Sequence, residues 1–161
     1  MESAPVTIRP AGPEDFGAVA RLNAEVQQLH AEGLPHLFKP ASENTFTRAV
    51  YEDILAQPRN RVYVAFEGTE PVGYVYAELL DRPETWFRYA HRVAYIHHVS
   101  VSHGHRRRGY GERLVREVVA LARSHGIGRL ELDAWWFNDA ARGFFKRLGF
   151  SELNLRMERG L

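Results

Sequence analysis

The sequence predicts an α/β (α+β) fold with a mixed, mostly antiparallel central sheet and helices on both faces of that sheet. Residues 61–67 and 72–80 alternate apolar and polar side chains around a Gly-containing turn, which is typical of a β-hairpin. Residues 93–125 show a strand, a polar turn and then helical apolar spacing. A further strand and helix follow, so crossovers of the βαβ type join a run of neighbouring strands.

Length and composition predict one domain spanning residues 1–161, with 45% hydrophobic and 25% charged residues. The formal net charge of +1 gives no global field that would favour nucleic acid or an anionic membrane. The chain has no Cys, which excludes disulfides, thiolate metal sites and a Cys nucleophile. It also shows no apolar signal core and no membrane-spanning run, so we expect a cytoplasmic protein.

In the first third of the chain, residues 6–9 predict a short strand and residues 14–29 a helix with an acidic first turn. Residues 30–40 form a loop with apolar members, which either fold back on the core or cover a site. Residues 42–57 predict a second helix, capped by Ser42 and ended by a proline.

The hairpin is followed by a polar and aromatic insert at residues 81–92, interpreted as a surface loop or, alternatively, as a subunit contact. The remaining predicted elements are a strand at 95–101, a helix at 112–125, a strand at 129–136, a helix at 138–149 and a final strand at 150–159.

The polar turn at residues 102–111 predicts an anion site. It lies between a strand and a helix N-terminus, where the first N–H groups have no intrahelical acceptor. Gly109 and Gly111 allow a tight curl and a close approach of phosphates to the backbone. Neither common nucleotide motif fits, since the dinucleotide fingerprint requires glycine where Leu114 stands, and the P-loop requires Lys-Ser/Thr after its last glycine.

This turn, Arg106-Arg107-Arg108-Gly109-Tyr110-Gly111, resembles the pyrophosphate loop Arg/Gln-x-x-Gly-x-Gly of the GNAT superfamily of acetyl-CoA-dependent N-acyltransferases. The stretch from Asn138 to Phe150 resembles the second hallmark of the same superfamily, Asn-x-x-Ala-x-x-Phe-Tyr-x-x-x-Gly-Phe. The resemblance covers nearly the whole chain and is specific from Tyr95 to Phe150. It implies the GNAT fold and transfer of an acetyl group from acetyl-CoA to an amine, by direct attack in a ternary complex.

The resemblance also implies the roles of particular residues. The CoA pyrophosphate would bind backbone amides of Arg106, Arg107, Arg108, Gly109, Tyr110 and Gly111. The backbone of Val99, Ser100 and Val101 would pair with the pantetheine arm, and the Val99 N–H would stabilise the oxyanion. Asn138 would contact the pantetheine region as well as capping its helix, and Phe145 would line the thiol end of the site.

Two positions depart from the usual pattern of the superfamily. His97 stands where many relatives carry a Glu that acts as general base; it is either the base or a structural strand histidine. Strand alternation predicts that His97 and Val99 share one face and that His98 points to the other. Phe145 stands where relatives carry a Tyr acid, so the acid is unassigned, with Tyr76, Tyr89 and Tyr110 as candidates.

Other functions are less well supported. The histidines at 97, 98, 103 and 105 do not converge in the predicted elements, so we expect no metal site. The Arg-rich turn alone does not predict nucleic-acid binding. We expect a small-molecule primary amine as acceptor, with a protein N-terminus or lysine as one alternative and a non-catalytic acyl-CoA sensor as the other. A homodimer is expected from the resemblance alone.

Overall fold

The structure is a computed structural model that describes residues 5–161 and contains one five-stranded sheet. Its strands are β1 (Val6–Pro10), β2 (Asn60–Glu67), β3 (Glu70–Arg82), β4 (His91–Val101) and β5 (Leu130–Leu132). Their spatial order is the same as their order in the chain. The first four strands pair antiparallel, whereas β5 is parallel to β4, so the prediction of a mixed, mostly antiparallel sheet is confirmed.

Helices cover both faces of this sheet. They are α1 (Phe16–Gly33), α2 (Arg48–Ala56), α3 (Tyr110–Ser124) and α4 (Asp139–Arg147), with 3-10 turns at Pro13–Asp15 and His103–His105. The α1 face, against which α1 and α2 pack, has a core of Val19, Leu22, Tyr51, Val62, Val64 and Tyr74. The α3 face, against which α3 and α4 pack, has a core that includes Val75, Ala77, Ile96, Leu114 and Val118. The two clusters use alternate residues of the same strands, as the pleat requires.

The first two helices differ in length from their predictions. α1 continues through Gly33, and so takes in the start of the predicted loop. The prediction that Ser42 caps the second helix is wrong. Residues 42–47 form turns, and the helix begins at Arg48, where the Thr47 hydroxyl accepts a hydrogen bond from the Val50 N–H at 3.3 Å. Thr47 provides the same capping chemistry five residues later.

The insert at residues 81–92 is smaller than predicted because β3 and β4 continue pairing into it. Asp81 pairs with Arg92 across the strands, and their side chains form an ion pair at 2.8 Å. The remaining turn is closed by a bridge between Thr85 and Arg88. Its tip carries aromatic side chains in solvent, with Trp86 98% exposed.

The last two predicted strands are the largest disagreement. The strand predicted at 129–136 is only the three-residue β5, and the strand predicted at 150–159 is absent. Residues 151–161 have no regular structure and are exposed along their whole length. The alternating pattern is present in the sequence, but a strand also needs a neighbour for its backbone groups, and residues 5–161 provide none at this place.

Candidate active site

The site is built around β4, which has two differently paired halves. In the paired half, residues 91–96, β4 has β3 on one side throughout, and β5 pairs with its other side from Ala94 to Ile96, where Leu132 is the last partner. In the open half, residues 97–101, only β3 is a partner among the described residues. The edge that β5 leaves uncovered is called the open edge.

The backbone of Val99 faces the open edge. The Ser102 N–H donates to the Val72 carbonyl of β3 at 2.9 Å, so alternation places the N–H of Ser100 towards β3 and that of Val99 away from it. The carbonyl of Val101 lies on the same outer side, where it accepts a bond from Arg106 Nε at 3.1 Å. Val99 and Val101 therefore present backbone groups to a ligand at this edge, whereas Ser100 does not.

A β-bulge at the start of the open half changes the predicted facing of the histidines. Tyr76 pairs with His98 and Ala77 pairs with Ile96, so His97 is the extra residue. The Tyr76 ring lies 4.5 Å from that of His97 and 5.6 Å from that of His98. Both histidines therefore lie on the α1 face. The prediction that they point to opposite faces is wrong because alternation fails across a bulge.

His97 is fixed by a buried carboxylate. Its Nε2 lies 2.7 Å from Oε2 of Glu78, whose other oxygen is 2.6 Å from Nε of Arg59. Glu78 is only 8% exposed, and the Tyr76 ring stacks on the imidazole. A carboxylate only accepts hydrogen bonds, so its contact assigns the Nε2–H tautomer to neutral His97 and leaves the lone pair on Nδ1.

His98 has a different environment. The Asn23 amide donates to the Tyr74 hydroxyl at 2.9 Å, and that hydroxyl lies 3.1 Å from Nδ1 of His98. Burial lowers the pKa of His98 to about 4, with smaller contributions from His97 and His30. His98 is therefore neutral at pH 7, with Nδ1 accepting the Tyr74 proton.

The predicted anion-binding turn follows the open half directly. Gly109 has φ +83° and Arg107 has φ +62°, and helix α3 begins at Tyr110. The N–H of Arg113 donates to the Gly109 carbonyl at 3.1 Å, so the amides of Gly109, Tyr110 and Gly111 precede this first helical bond. Left-handed conformations next to a helix N-terminus produce a concave set of N–H groups, as an anion site requires.

The arginines of the turn have separate roles. Arg106 forms an ion pair with Glu25 of α1 at 3.3 Å, and Arg108 forms one with Glu67 of β2 at 3.4 Å. The His103 N–H also donates to Glu25, at 3.0 Å. Arg107 is exposed and has no acidic partner in the described part of the chain. Arg106 and Arg108 thus anchor the turn, and Arg107 is the cation available to a ligand.

Three further residues of the predicted site hold α4 in place. Asn138 caps α4, its Oδ1 accepting from the Ala141 N–H at 3.1 Å, so the capping interpretation is confirmed. Phe145 is 8% exposed and lines a groove beside β5. A Cβ on Gly111 would lie 3.1 Å from the ring of Phe144, so glycine at this position also allows α3 and α4 to pack closely.

Aromatic side chains from three segments of the chain meet at the C-terminal end of α1. Phe38, from the segment between α1 and α2, lies 5.0 Å from both the His30 and the Trp135 rings. Leu34, from the same segment, is 9% exposed and packs into the protein. Leu34 thus folds back on the core, as one interpretation of this loop expects, whereas Phe38 contacts the segment that follows β5.

Among the candidate acids, only Tyr76 borders His97. Tyr110 is 4% exposed in the α3-face core, and Tyr89 is 88% exposed on the insert turn. The contacts of Glu78 and Asn23 were not predicted from the sequence. A Glu inside the apolar run of residues 72–80 was the available signal, since a charge on a buried strand needs a partner. The partner could not be identified because it depends on the bulge.

Within residues 5–161, every helix is too short or too polar to span a lipid bilayer. The same residues contain no cluster of three or more His, Cys, Asp or Glu side chains arranged to bind a metal ion.

Comparisons with known proteins agree with the geometry. The family model for the acetyltransferase (GNAT) family matches residues 24–150. The N-alpha-acetyltransferase RimI of Mycobacterium tuberculosis is 31% identical over 144 residues, covering 89% of this chain and 82% of that protein. Glucosamine 6-phosphate N-acetyltransferase 1 of rice (Oryza sativa subsp. japonica) is 30% identical over 120 residues, covering 73% and 69%.

Solved structures share the fold. A tetramutant of the BH1408 protein of Bacillus halodurans superposes with a TM-score of 0.91 at 25% identity, covering 96% of this chain and 99% of that one. The aminoglycoside N-acetyltransferase AAC(6')-Iy, solved in complex with CoA, has a TM-score of 0.75 at 15% identity, covering 99% and 97%. At that identity the likeness concerns the fold alone.

Proposed function

Since this chain belongs to the acetyltransferase (GNAT) family and is an N-acetyltransferase, we propose that it transfers the acetyl group of acetyl-CoA directly to the primary amine of a small molecule. Enzymes of this family use acetyl-CoA as the donor. The bulge at His97 is the observation that carries the proposal. The bulge brings the His97 imidazole, which contacts the Glu78 carboxylate, to a position two residues from Val99. The N–H of Val99 is free because the open edge of β4 has no neighbouring strand there.

His97 is the proposed general base. The attacking ammonium must lose a proton before its nitrogen can form a bond to the thioester carbon, and Nδ1 of His97 has the lone pair to accept it. The resulting imidazolium is stabilised by Glu78, which lies 2.7 Å from Nε2. Glu78 is therefore a positioning residue that acts through His97, and Arg59 in turn holds the second oxygen of Glu78.

The Val99 N–H is the proposed oxyanion donor. When the amine nitrogen adds to the thioester carbon, the carbonyl oxygen becomes negative, and a preorganised N–H stabilises that charge. Collapse of the intermediate breaks the carbon–sulfur bond and releases CoA as a thiolate, and the second proton of the attacking nitrogen passes through water to that thiolate. Tyr76 borders His97 and is a second proton source; burial is the main cause that raises its pKa.

The turn between β4 and α3 is the proposed site for the CoA pyrophosphate. Three properties support it: the left-handed Gly109 and Arg107, the amides that precede the first helical bond, and the unpaired Arg107 guanidinium. Arg106 connects the turn to the open edge through the Val101 carbonyl, so pyrophosphate and pantetheine would lie along one continuous surface. Asn138 and Phe145 stay predicted contacts of the pantetheine and thiol.

The aromatic cover favours a compact acceptor. Phe38 contacts Trp135, so the segment between α1 and α2 meets the segment that follows β5. His30 of α1 contacts both rings and contributes to the lowered pKa of His98, so we infer that this aromatic contact covers the α1 face near the histidines. A small amine fits under such a cover more readily than a folded protein surface does. The rice relative is named for an acceptor of this kind, the small sugar phosphate glucosamine 6-phosphate.

A protein N-terminus is the second candidate acceptor. The relative named N-alpha-acetyltransferase RimI aligns with more of this chain than the rice enzyme does, 89% against 73%. A flexible peptide N-terminus is narrow enough to enter under the cover, so this candidate differs from the first in the size of the acceptor and not in its chemistry.

The test is CoA release from acetyl-CoA with a panel of small primary amines and of short peptides with free N-termini. We expect turnover with at least one small amine, and a fall of about 10²–10⁴-fold in kcat for His97→Gln, the usual contribution of a positioned base. The His125→Gln variant is the matched control, because that imidazole is exposed at the end of α3 opposite the Arg-rich turn.

The outcomes separate the candidates. Turnover with peptides alone would replace the small-molecule proposal with the second one. Acetyl-CoA binding without turnover of any amine would favour the sensor interpretation. A His97→Gln variant with unchanged kcat would leave the family assignment intact and remove His97 as the base.

A further inference from the structure

Tyr95 connects β4 to the chain that follows β5. The last pair between these parallel strands is Ile96 with Leu132, so Asp133 is the first residue after the strands separate. The Tyr95 hydroxyl donates a hydrogen bond to Oδ2 of Asp133 at 2.5 Å. This hydrogen bond therefore spans the point where β4 and β5 part, next to the open edge.

The Tyr95 ring also contacts the proposed base. Its centroid lies 4.8 Å from that of His97 with the two rings edge to face, and the Tyr76 ring stacks on the same imidazole at 4.5 Å. Two tyrosine rings thus border His97, and the faces of such rings attract cations. Tyr95, His97 and Asp133 together are called the Tyr95 cluster.

The polar atoms that the Tyr95 cluster offers to a ligand are hydrogen-bond acceptors. The Tyr95 proton is directed at Asp133, so the lone pairs of the Tyr95 oxygen can only accept from a ligand. The Asp133 carboxylate is exposed and also only accepts, as does Nδ1 of neutral His97. Three acceptors match a primary ammonium group, which has three N–H donors and no acceptor.

The charge of the cluster also suits a cation. Asp133 forms no ion pair with a Lys, Arg or His side chain of residues 5–161, and its partner there is the neutral Tyr95. Burial raises the pKa of Tyr95, and the hydrogen bond to Asp133 raises it further. Of the other charges that act on Tyr95, Glu131 raises its pKa and Arg82 lowers it. Tyr95 therefore keeps its proton at neutral pH, and the negative charge of the cluster stays on Asp133.

We propose that Tyr95 and Asp133 bind the ammonium group of the acceptor and hold it beside Nδ1 of His97. Transfer of one ammonium proton to Nδ1 leaves an imidazolium and a neutral amine, whose nitrogen then attacks the thioester carbon. The inference rests on the proposed function, since it concerns the acceptor of that reaction. It adds that the enzyme selects a charged amine over an alcohol, because a hydroxyl brings one donor and no charge to the same acceptors.

Asp133→Asn tests the charge alone, because asparagine keeps an oxygen that accepts the Tyr95 proton. With the most active amine of the panel, we expect KM for the amine to rise about 10–100-fold, the equivalent of one hydrogen bond to a charged group, while kcat stays near the wild-type value. Tyr95→Phe should raise KM in the same direction. Asp53→Asn removes the same charge from an exposed position on α2, so it is the matched control and should change neither constant. Circular dichroism checks that the variants fold.

A binding experiment without chemistry separates this inference from the proposed function. n-Butylamine, or n-butanol as its neutral counterpart, is titrated into protein with carbon-13-labelled tyrosine rings, and Tyr95→Phe identifies the Tyr95 signals. We expect the amine alone to shift those signals, and more weakly in Asp133→Asn. Such shifts in a protein that acetylates no amine would support the ammonium site and remove the proposed function. An unchanged KM in Asp133→Asn, or equal shifts with amine and alcohol, would overturn the inference and leave the proposed function standing.

Discussion

The two halves of β4 differ in what their backbone does. In residues 91–96 the side chains alternate regularly, and from Ala94 to Ile96 the strand has neighbours on both edges, so this half serves the core, with Ala94 fully buried and Ile96 3% exposed. In residues 97–101 one edge is free and a bulge puts two histidines on one face. The comparison shows that the candidate chemistry lies where regular pairing ends, because backbone groups there are available to a ligand.

The largest expected effect comes from removing one backbone N–H on each edge of the open half. Val99→Pro removes an N–H that faces the free edge, where proline is tolerated in strands. We expect kcat to fall by about 10²–10³, the usual cost of losing an oxyanion donor. Ser100→Pro removes an N–H that faces β3, and should instead cost about 3 kcal/mol of folding free energy.

Steady-state kinetics and urea unfolding of the two proline variants distinguish these losses. If Val99→Pro keeps full kcat, the oxyanion assignment is wrong. If both variants unfold equally, the two edges are equivalent and the comparison itself fails.

The second prediction concerns the buried histidine of the open half. Burial lowers the pKa of His98 to about 4, below its unfolded value near 6.5. The neutral side chain therefore makes its full contribution to the free energy of unfolding above about pH 6.5, and this contribution is lost as the pH falls towards 4. The loss should reach about 3 kcal/mol in the free energy of unfolding. Burial also lowers the pKa of His30, so protonation of His30 in acid should likewise lower the free energy of unfolding.

Urea titrations at several pH values measure how the free energy of unfolding changes with pH. His98→Asn, which keeps an acceptor for the Tyr74 hydroxyl, should weaken this pH dependence between pH 4 and 6.5, while His36→Gln should not. An unchanged slope in His98→Asn would show that another group causes the acid sensitivity.

The third prediction sharpens the difference between His97 and His98. Glu78→Gln removes the carboxylate that holds His97 but leaves the imidazole present, so we expect kcat to fall roughly 10–100-fold, the equivalent of one hydrogen bond to a charged group. The fold should remain stable by circular dichroism, since glutamine keeps the size of the side chain and an oxygen that can accept a hydrogen bond. An unchanged kcat in Glu78→Gln would show that the contact between Glu78 and His97 has no part in the reaction.

The smallest effect is expected in the turn that follows the open half. Gly109→Ala puts a side chain on a left-handed residue and should cost about 1–2 kcal/mol of stability. It should also weaken acetyl-CoA binding, measured by isothermal titration. Gly104→Ala, in the same turn with ordinary φ and open space around the new Cβ, is the matched control and should change neither quantity. Equal affinities for the two variants would argue against this turn as the phosphate site.

The sequence allowed the sheet, the Arg-rich turn and the family to be predicted, because each depends on local patterns: alternation, helical spacing and glycine placement. The faces on which His97 and His98 lie could not be predicted. One extra residue in β4 relative to β3 interrupts the alternation of side chains, and the composition of the strand gives no signal of it. The pairing of Glu78 with His97 depends on that same register. The prediction of a strand at 150–159 was wrong for a different reason. The local pattern is that of a strand, but the described chain offers no neighbouring strand to accept its hydrogen bonds.

One turn of α1 contacts both the open half of β4 and the Arg-rich turn. The Leu22 carbonyl accepts from the Ser100 hydroxyl at 2.9 Å, Asn23 donates to the hydroxyl that supports His98, and Glu25 holds the Arg-rich turn. Three nearly consecutive residues of a rigid helix thus act as a spacer between the acceptor side and the donor side. A change in the pitch of this single turn would alter the separation of the amine from the thioester before it altered the affinity for either substrate.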